Sequence, residues 1–145
     1  MILAILQARM SSSRLPGKVL KTILDKPILA YQIERIKQSK KIDKIVLATS
    51  IGIEDNPWES LANSLNIDCF RGDLNNVLKR FYDCATLYNA DIVVRLTGDC
   101  PVIDPQIIDE VVSLHIISNS DYTSNTLYRT FPDGLDVEVL NLKAL

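Results

Sequence analysis

One histidine and three cysteines in 145 residues leave too few ligands for a Cys/His zinc site. Cys69, Cys84 and Cys100 form no CxxC pair, and an odd number suits reduced thiols, so a cytoplasmic location is expected. Glycine is scarce too, with five in the chain and no GxGxxG after a strand-like run, which takes support from a dinucleotide-binding fold. Neither sign of charge dominates: 16 Lys and Arg against 18 Asp and Glu give a net charge of -2. Such a balance exerts no global pull on nucleic acid or an anionic membrane, so neither is an expected partner. No apolar run approaches the ~18–20 residues of a membrane span. The opening MILAILQARM has no leading basic residue and no small-residue cleavage site, so it reads as a first strand rather than a signal peptide. Repeats and low-complexity linkers are lacking.

What is present is an ordinary globular composition, 47% hydrophobic and 23% charged. It suffices for one domain with a real core. Ile2–Leu6, Ile45–Thr49, Ile67–Phe70 and Ile92–Leu96 are short apolar runs of the kind buried on both faces of a sheet. Between them, helical spacing links Leu29, Ile33 and Ile36 after Pro27, and Trp58, Leu61, Ala62 and Leu65 after Pro57. The same spacing links Val77, Leu78, Phe81, Ala85 and Tyr88. Asp104 and Pro105 form an N-cap and N1 pair before Ile107, Ile108, Val111 and Val112. Asp121–Asn125 is a candidate edge strand, and Leu135–Leu140 alternates, with Leu135, Val137 and Val139 opposite Asp136 and Glu138. Strands alternating with helices imply an α/β fold with a mostly parallel sheet covered on both sides. The last five residues look like the opening of another helix, which suggests that residues 1–145 are a domain truncated at its C-terminus.

In such a sheet, ligands sit beyond the carboxyl ends of the strands, and three loops there carry chemistry. Gln7–Lys18 holds Arg9, Arg14 and Lys18 together with Ser11, Ser12 and Ser13. Small serines let backbone approach a ligand, while the cations supply charge-assisted donors for a polyphosphate. It is no Walker loop, because Val19 follows the Gly-Lys pair. A solvated basic loop is the plainer alternative. Asp99, in the tight turn Thr97–Pro101, suits Mg²⁺, which takes one or two carboxylates and leaves its other positions to water and phosphate. Capping of the turn explains it equally well. In Arg71–Asn76, Asn75 is expected to cap the following helix. His115 and Trp58 read as packed residues, and Cys100 as packing rather than nucleophile.

QARMSSSRLPGK resembles the phosphate-binding signature of the CMP-sugar cytidylyltransferases, the family of the spore coat polysaccharide biosynthesis protein F group, CMP-Kdo synthetase and acylneuraminate cytidylyltransferase. RGDLNNVLKRFY, VVRLTGDCPVIDP and FPDGLDVEV continue the resemblance in order across nearly the whole chain. The resemblance implies a Rossmann-like three-layer α/β/α sandwich of the nucleotide-diphospho-sugar transferase type. It implies transfer of CMP from CTP to an acidic or modified sugar with Mg²⁺ as cofactor, in cell-surface or spore polysaccharide synthesis, and a homodimer.

Carried over by position, Arg14 and Lys18 would bind the β and γ phosphates and be catalytic together with Asp99, the metal ligand. Leu6, Ala8, Arg9, Ser11, Ser12, Ser13, Arg71 and Asp73 would line the nucleotide, and Asp136 and Glu138 would face the sugar. Family members run well past residue 145 and carry a second acidic metal ligand there. The chain is therefore expected to bind nucleotide and turn over slowly or not at all. Two competing readings are a nucleotidyltransferase using another NTP and a non-catalytic module that binds a sugar nucleotide.

Overall fold

The computed structural model describes residues 1–9 and 21–145, and all structural statements below concern these. Most of the Gln7–Lys18 loop lies outside them, so Ser11, Ser12, Ser13, Arg14 and Lys18 are not placed.

The elements follow the predicted alternation. They are β1 (Ile2–Gln7), a small hairpin of β2 (Thr22–Ile23) and β3 (Lys26–Pro27), α1 (Ile28–Ile36), β4 (Lys44–Ser50), α2 (Asn56–Ser64) and β5 (Asp68–Gly72). Then come α3 (Val77–Leu87), β6 (Ile92–Thr97), α4 (Pro105–Ser118), β7 (Tyr122–Ser124) and β8 (Glu138–Asn141). A short 3₁₀ turn precedes α2 at Ile53–Asp55, and another, Leu142–Ala144, occupies the segment expected to open a helix.

The main sheet has the order β5-β4-β1-β6-β8-β7. β5, β4, β1 and β6 are parallel, with Ile5 opposite Val46 on one side and Arg95 on the other. β8 and β7 run antiparallel at the β6 edge, where Val94 faces Val139. The continuous apolar strands are explained by two separate cores. On one face Ala4, Leu6 and Leu47 pack with Leu29 and Ile33 of α1, Trp58 and Ala62 of α2, and Ile108 and Val112 of α4. On the other, Leu3, Ile5, Val46 and Ala48 pack with Phe81, Cys84 and Ala85 of α3. The result is a three-layer α/β/α sandwich. A strand with no solvent face needs apolar residues at both parities, the pattern seen in β1 and β4.

Local chemistry sets the helix ends. Asp104 accepts a bond from the Gln106 amide at 2.8 Å and Pro105 follows it, as the sequence predicts. The cap of α3 is corrected: Asn76, not Asn75, accepts from the Lys79 amide at 2.9 Å. Asn75 is instead held by its own amide, which donates to Asp73. Asn66, Asn89 and Asn119, just beyond α2, α3 and α4, take positive φ values of 52°, 52° and 48°. Asparagine tolerates this left-handed conformation better than most non-glycine residues. The expected strand over Leu135–Leu140 pairs only from Glu138 onward, although Val137 and Val139 are fully buried as its alternation requires.

Candidate active site

From β1 the chain fills the sheet toward β4 and β5, then returns to place β6 on the opposite side of β1. The carboxyl ends of β1 and β6 thus border the switch point, where open α/β sheets leave a crevice for ligands. Here Gln7 and Thr97 are register partners, and the Gly98 amide donates to the Gln7 carbonyl at 2.8 Å. The Ala8 amide donates in turn to Ala48 of β4 at 3.2 Å. Leu6 and Ala8 are buried in the core, while Arg9 is exposed where the unplaced cationic loop begins. A Cβ at Gly98 would stand 3.0 Å from the Gln7 carbonyl oxygen and 3.2 Å from the Ala8 methyl group. Glycine is what lets the two loops meet.

Asp99, next in the chain, is exposed. The buried Cys100 thiol lies 3.8 Å from its Oδ1 and 3.6 Å from Thr97 Oγ1. Burial pushes the pKa of Cys100 up, with the neighbouring carboxylates adding to it, so this thiol stays protonated and is no ready nucleophile. Gln32 of α1, which the sequence did not single out, donates to the Thr97 carbonyl at 2.7 Å and fixes the turn from below.

An open groove of about 460 Å³ runs over this turn, lined by Thr97, Asp99, Cys100, Asp133, Gly134 and Asp136 among others. A smaller recess of about 140 Å³, lined by Arg95, Thr97, Thr126, Arg129, Asp136 and Glu138, shares Thr97 and Asp136 with it. The structure therefore places Asp99 and Asp136 on the groove, and Asp136 and Glu138 on the adjoining recess. Asp136 pairs with Arg129 at 3.3 Å, and Arg129 also holds Asp133 at 3.0 Å. Glu138 is ion-paired with Arg95, and its other oxygen accepts from the Tyr122 hydroxyl at 2.8 Å. Among the described residues no cluster of three or more His, Cys, Asp or Glu is arranged as a metal cage. Asp133 and Asp136 are held by Arg129, so Asp99 is the groove carboxylate whose hard oxygen suits Mg²⁺, an ion that needs no full protein cage.

Arg71 and Asp73 lie apart from this groove, at the β5 edge of the sheet beyond β4. Arg71 donates to the Ser50 carbonyl at 3.0 Å and the Gly52 carbonyl at 2.7 Å, so it ties the loop after β4 to β5. Asp73 accepts from the amides of Asn76 and Asn75, and these bonds hold its carboxyl below the usual range. Beneath it lies Arg80 of α3, only 1% exposed, with one guanidinium nitrogen donating to the Asp73 carbonyl. Sequence reading passed over Arg80. Helical spacing from Val77 marked the buried face, but nothing in a lone charged letter shows that it turns inward.

A doubly wound sandwich in which the end of β1 meets the Asp99 turn at the switch point defines the class of open α/β proteins that hold ligands at this edge. Comparison makes this more specific: the chain belongs to the cytidylyltransferase family, which it matches over residues 3–144. It is 36% identical to the spore coat polysaccharide biosynthesis protein SpsF of Bacillus subtilis, over 99% of this chain and 60% of that protein. It is 32% identical to the 3-deoxy-manno-octulosonate cytidylyltransferase of Solibacter usitatus, over 94% of this chain and 53% of that one. The solved structure of a cytidylyltransferase from Leptospira borgpetersenii superposes with a TM-score of 0.93 at 39% identity, covering 98% of this chain and 60% of the other. The chain spans somewhat over half the length of these relatives. Among the described residues no helix is long and apolar enough to cross a membrane.

Proposed function

We propose that this chain forms the nucleotide-binding part of a sugar cytidylyltransferase, transferring CMP from CTP to an acidic or modified sugar in cell-surface or spore polysaccharide synthesis. The observation that carries this reading is the Gly98–Gln7 clasp at the switch point, which sets Asp99 beside the root of the cationic loop. Arg9, Arg14 and Lys18 would hold the triphosphate, with Ser11, Ser12 and Ser13 permitting close backbone approach. Leu6, Ala8, Arg71 and Asp73 would border base and ribose. Asp136 would meet the sugar from the far side of the groove, and Glu138, held by Arg95 and Tyr122, would shape its floor.

The chemistry is an in-line displacement. A sugar hydroxyl oxygen forms a bond to the α-phosphorus as the bond to the bridging oxygen of the β-phosphate breaks; pyrophosphate leaves with that oxygen, and the hydroxyl proton passes to water. Asp99 would hold Mg²⁺, which when bound supplies charge neutralisation to the phosphate oxygens. The chain's own residues contribute position and electrostatics. The cations offset charge growing on pyrophosphate, and the turn fixed by Gln32 and Gly98 keeps the carboxylate in place. Such a CTP-consuming step, with reduced cysteines, suits the cytoplasm, and a homodimer belongs to the same reading.

Calorimetric titration with CTP, UTP, GTP and ATP, with and without Mg²⁺, tests it. Selective CTP binding is expected, strengthened by Mg²⁺, and weakened about tenfold or more in Asp99→Ala and Lys18→Ala, a loss typical of charge-assisted contacts. Equal affinity for all four nucleotides, or binding indifferent to both substitutions, would overturn the proposal.

A further inference from the structure

The recess of about 140 Å³ beside the groove is lined by two arginines and two carboxylates, and these are paired with one another. Arg95 on β6 meets Glu138, its register partner on β8, while its guanidinium lies 5.8 Å over the Phe81 ring of α3. Tyr122 of β7 donates to the other Glu138 oxygen at 2.8 Å, so both oxygens of this carboxylate are engaged. Arg129 reaches Asp136 through both Nη atoms, at 3.4 and 3.3 Å. Asp133, which does not line the recess, engages Arg129 as well. Thr97 and Thr126 add hydroxyl groups to the lining. An arginine fork is the side chain best suited to grip a carboxylate, and here both forks already hold one from the protein itself.

We infer that Glu138 and Asp136 set the acceptor specificity by occupying the two arginines of the recess, which then takes an uncharged, hydroxyl-bearing arm of the sugar and turns a carboxylate away. The inference deepens the sugar transfer proposed above and rests on it. A carboxylate entering the recess would bring a third anion to two cations that are already neutralised. To gain an arginine it must displace a resident carboxylate and leave that group half-buried and unpaired. A hydroxyl meets no such opposition, because it donates and accepts at once. Each ion pair offers N–H donors beside carboxylate lone pairs, so neighbouring hydroxyls can bridge a pair without separating its charges. Specificity of this kind comes as much from what a site refuses as from what it holds. Glu138 is the stronger determinant, since Arg95 and Tyr122 both fix it, whereas Arg129 is shared between Asp136 and Asp133. Any acidic group on the acceptor therefore stays outside the recess.

The test is an NMR titration with D-arabinitol and D-arabinonate that follows the Nε–H resonances of Arg95 and Arg129. The second probe carries a carboxylate where the first has a terminal hydroxymethyl group. Each titration is run with and without CTP and Mg²⁺. The unsubstituted chain should bind arabinitol about tenfold or more tightly than arabinonate, the scale of a like-charge mismatch. Glu138→Gln, which keeps the shape of the side chain and releases Arg95, should reverse the order, with arabinonate gaining about tenfold. Asp136→Asn should shift the ratio the same way by less, because Asp133 still engages Arg129. Should Glu138→Gln prove unfolded by circular dichroism, the unsubstituted chain and Asp136→Asn decide. An unsubstituted chain that binds neither probe, or both alike, would overturn the inference and leave the proposed function standing. So would folded variants that keep the original ratio or lose both probes together, the latter being the mark of a merely structural role. An unsubstituted chain that binds no CTP would overturn the proposed function and this inference with it.

Discussion

At Gly98 a methyl group would meet the Gln7 carbonyl oxygen at 3.0 Å, Leu29 Cδ1 at 3.1 Å and the Ala8 methyl at 3.2 Å. Two of the three belong to β1 and its loop, so relief requires moving one loop away from the other. Gly98→Ala should lower stability by about 1–3 kcal/mol, the usual cost of overpacking, and weaken CTP binding more than its loss of stability alone would suggest. Thermal denaturation alongside titration checks this; a stable variant that binds normally would show that the clasp is dispensable. The cysteines act at the same scale as packing residues. Burial pushes Cys84 up to about 12 and Cys69 up to about 11, so the fold favours their neutral thiols. A raised pKa contributes stability in full below the ordinary value of 9.0 and loses it as pH climbs toward 11. Alkylation of these thiols at pH 8 should therefore track unfolding, and the melting temperature should fall between pH 9 and 11 faster in the native chain than in Cys84→Ala.

Among the elements, the β2–β3 hairpin is the one that the sequence did not announce. Leu24 and Asp25 form its two-residue turn with φ values of 49° and 64°, the double left-handed geometry that Asn-Gly satisfies best. Leucine gives no hint of it. The hairpin forms nonetheless, because Tyr31 of α1 donates to the Ile23 carbonyl at 2.9 Å and Lys26 stands 4.6 Å over the Tyr31 ring. Leu24 is 90% exposed, so its side chain contributes almost no packing against the strain of its backbone. Leu24→Asn should raise stability by about 1 kcal/mol, roughly the left-handed penalty for an ordinary residue. Differential scanning calorimetry reads this directly; an unchanged or lower melting temperature would mean that the turn carries no strain.

For the molecule as a whole, acid should act through turns and strand ends rather than the core. Lys44 holds the Asp68 carboxyl below its ordinary value, amides hold Asp73 there, and Lys143 does so for Asp121. All three are largely exposed, so each contribution is small. Their sign is shared: the stability is present above the ordinary carboxylate value of 3.8 and is lost as pH falls through the lower folded values. Together with the thiols, this predicts a melting temperature nearly level from about pH 5 to 8 and falling on both sides. A steep rise or fall within that window would contradict it.

Much of the architecture was settled by periodicity. Ile2–Leu6 and Ile45–Thr49 are apolar at both parities and Leu29, Ile33 and Ile36 follow helical spacing, so strands buried on two faces between helices were readable directly. Asp99 and the cationic loop stand out as candidates for a similar reason, since polar clusters directly after buried strands are chemically conspicuous. Tertiary structure alone decided which loops meet, because strand order is invisible in a linear chain: β6 lies beside β1 although 90 residues separate the register partners Gln7 and Thr97. It also decided the inward turn of Arg80, the cap at Asn76 instead of Asn75, and the engagement of Glu138 by Arg95. Each depends on which neighbour desolvates or bonds a polar group, and that is a property of the packed molecule rather than of the residue.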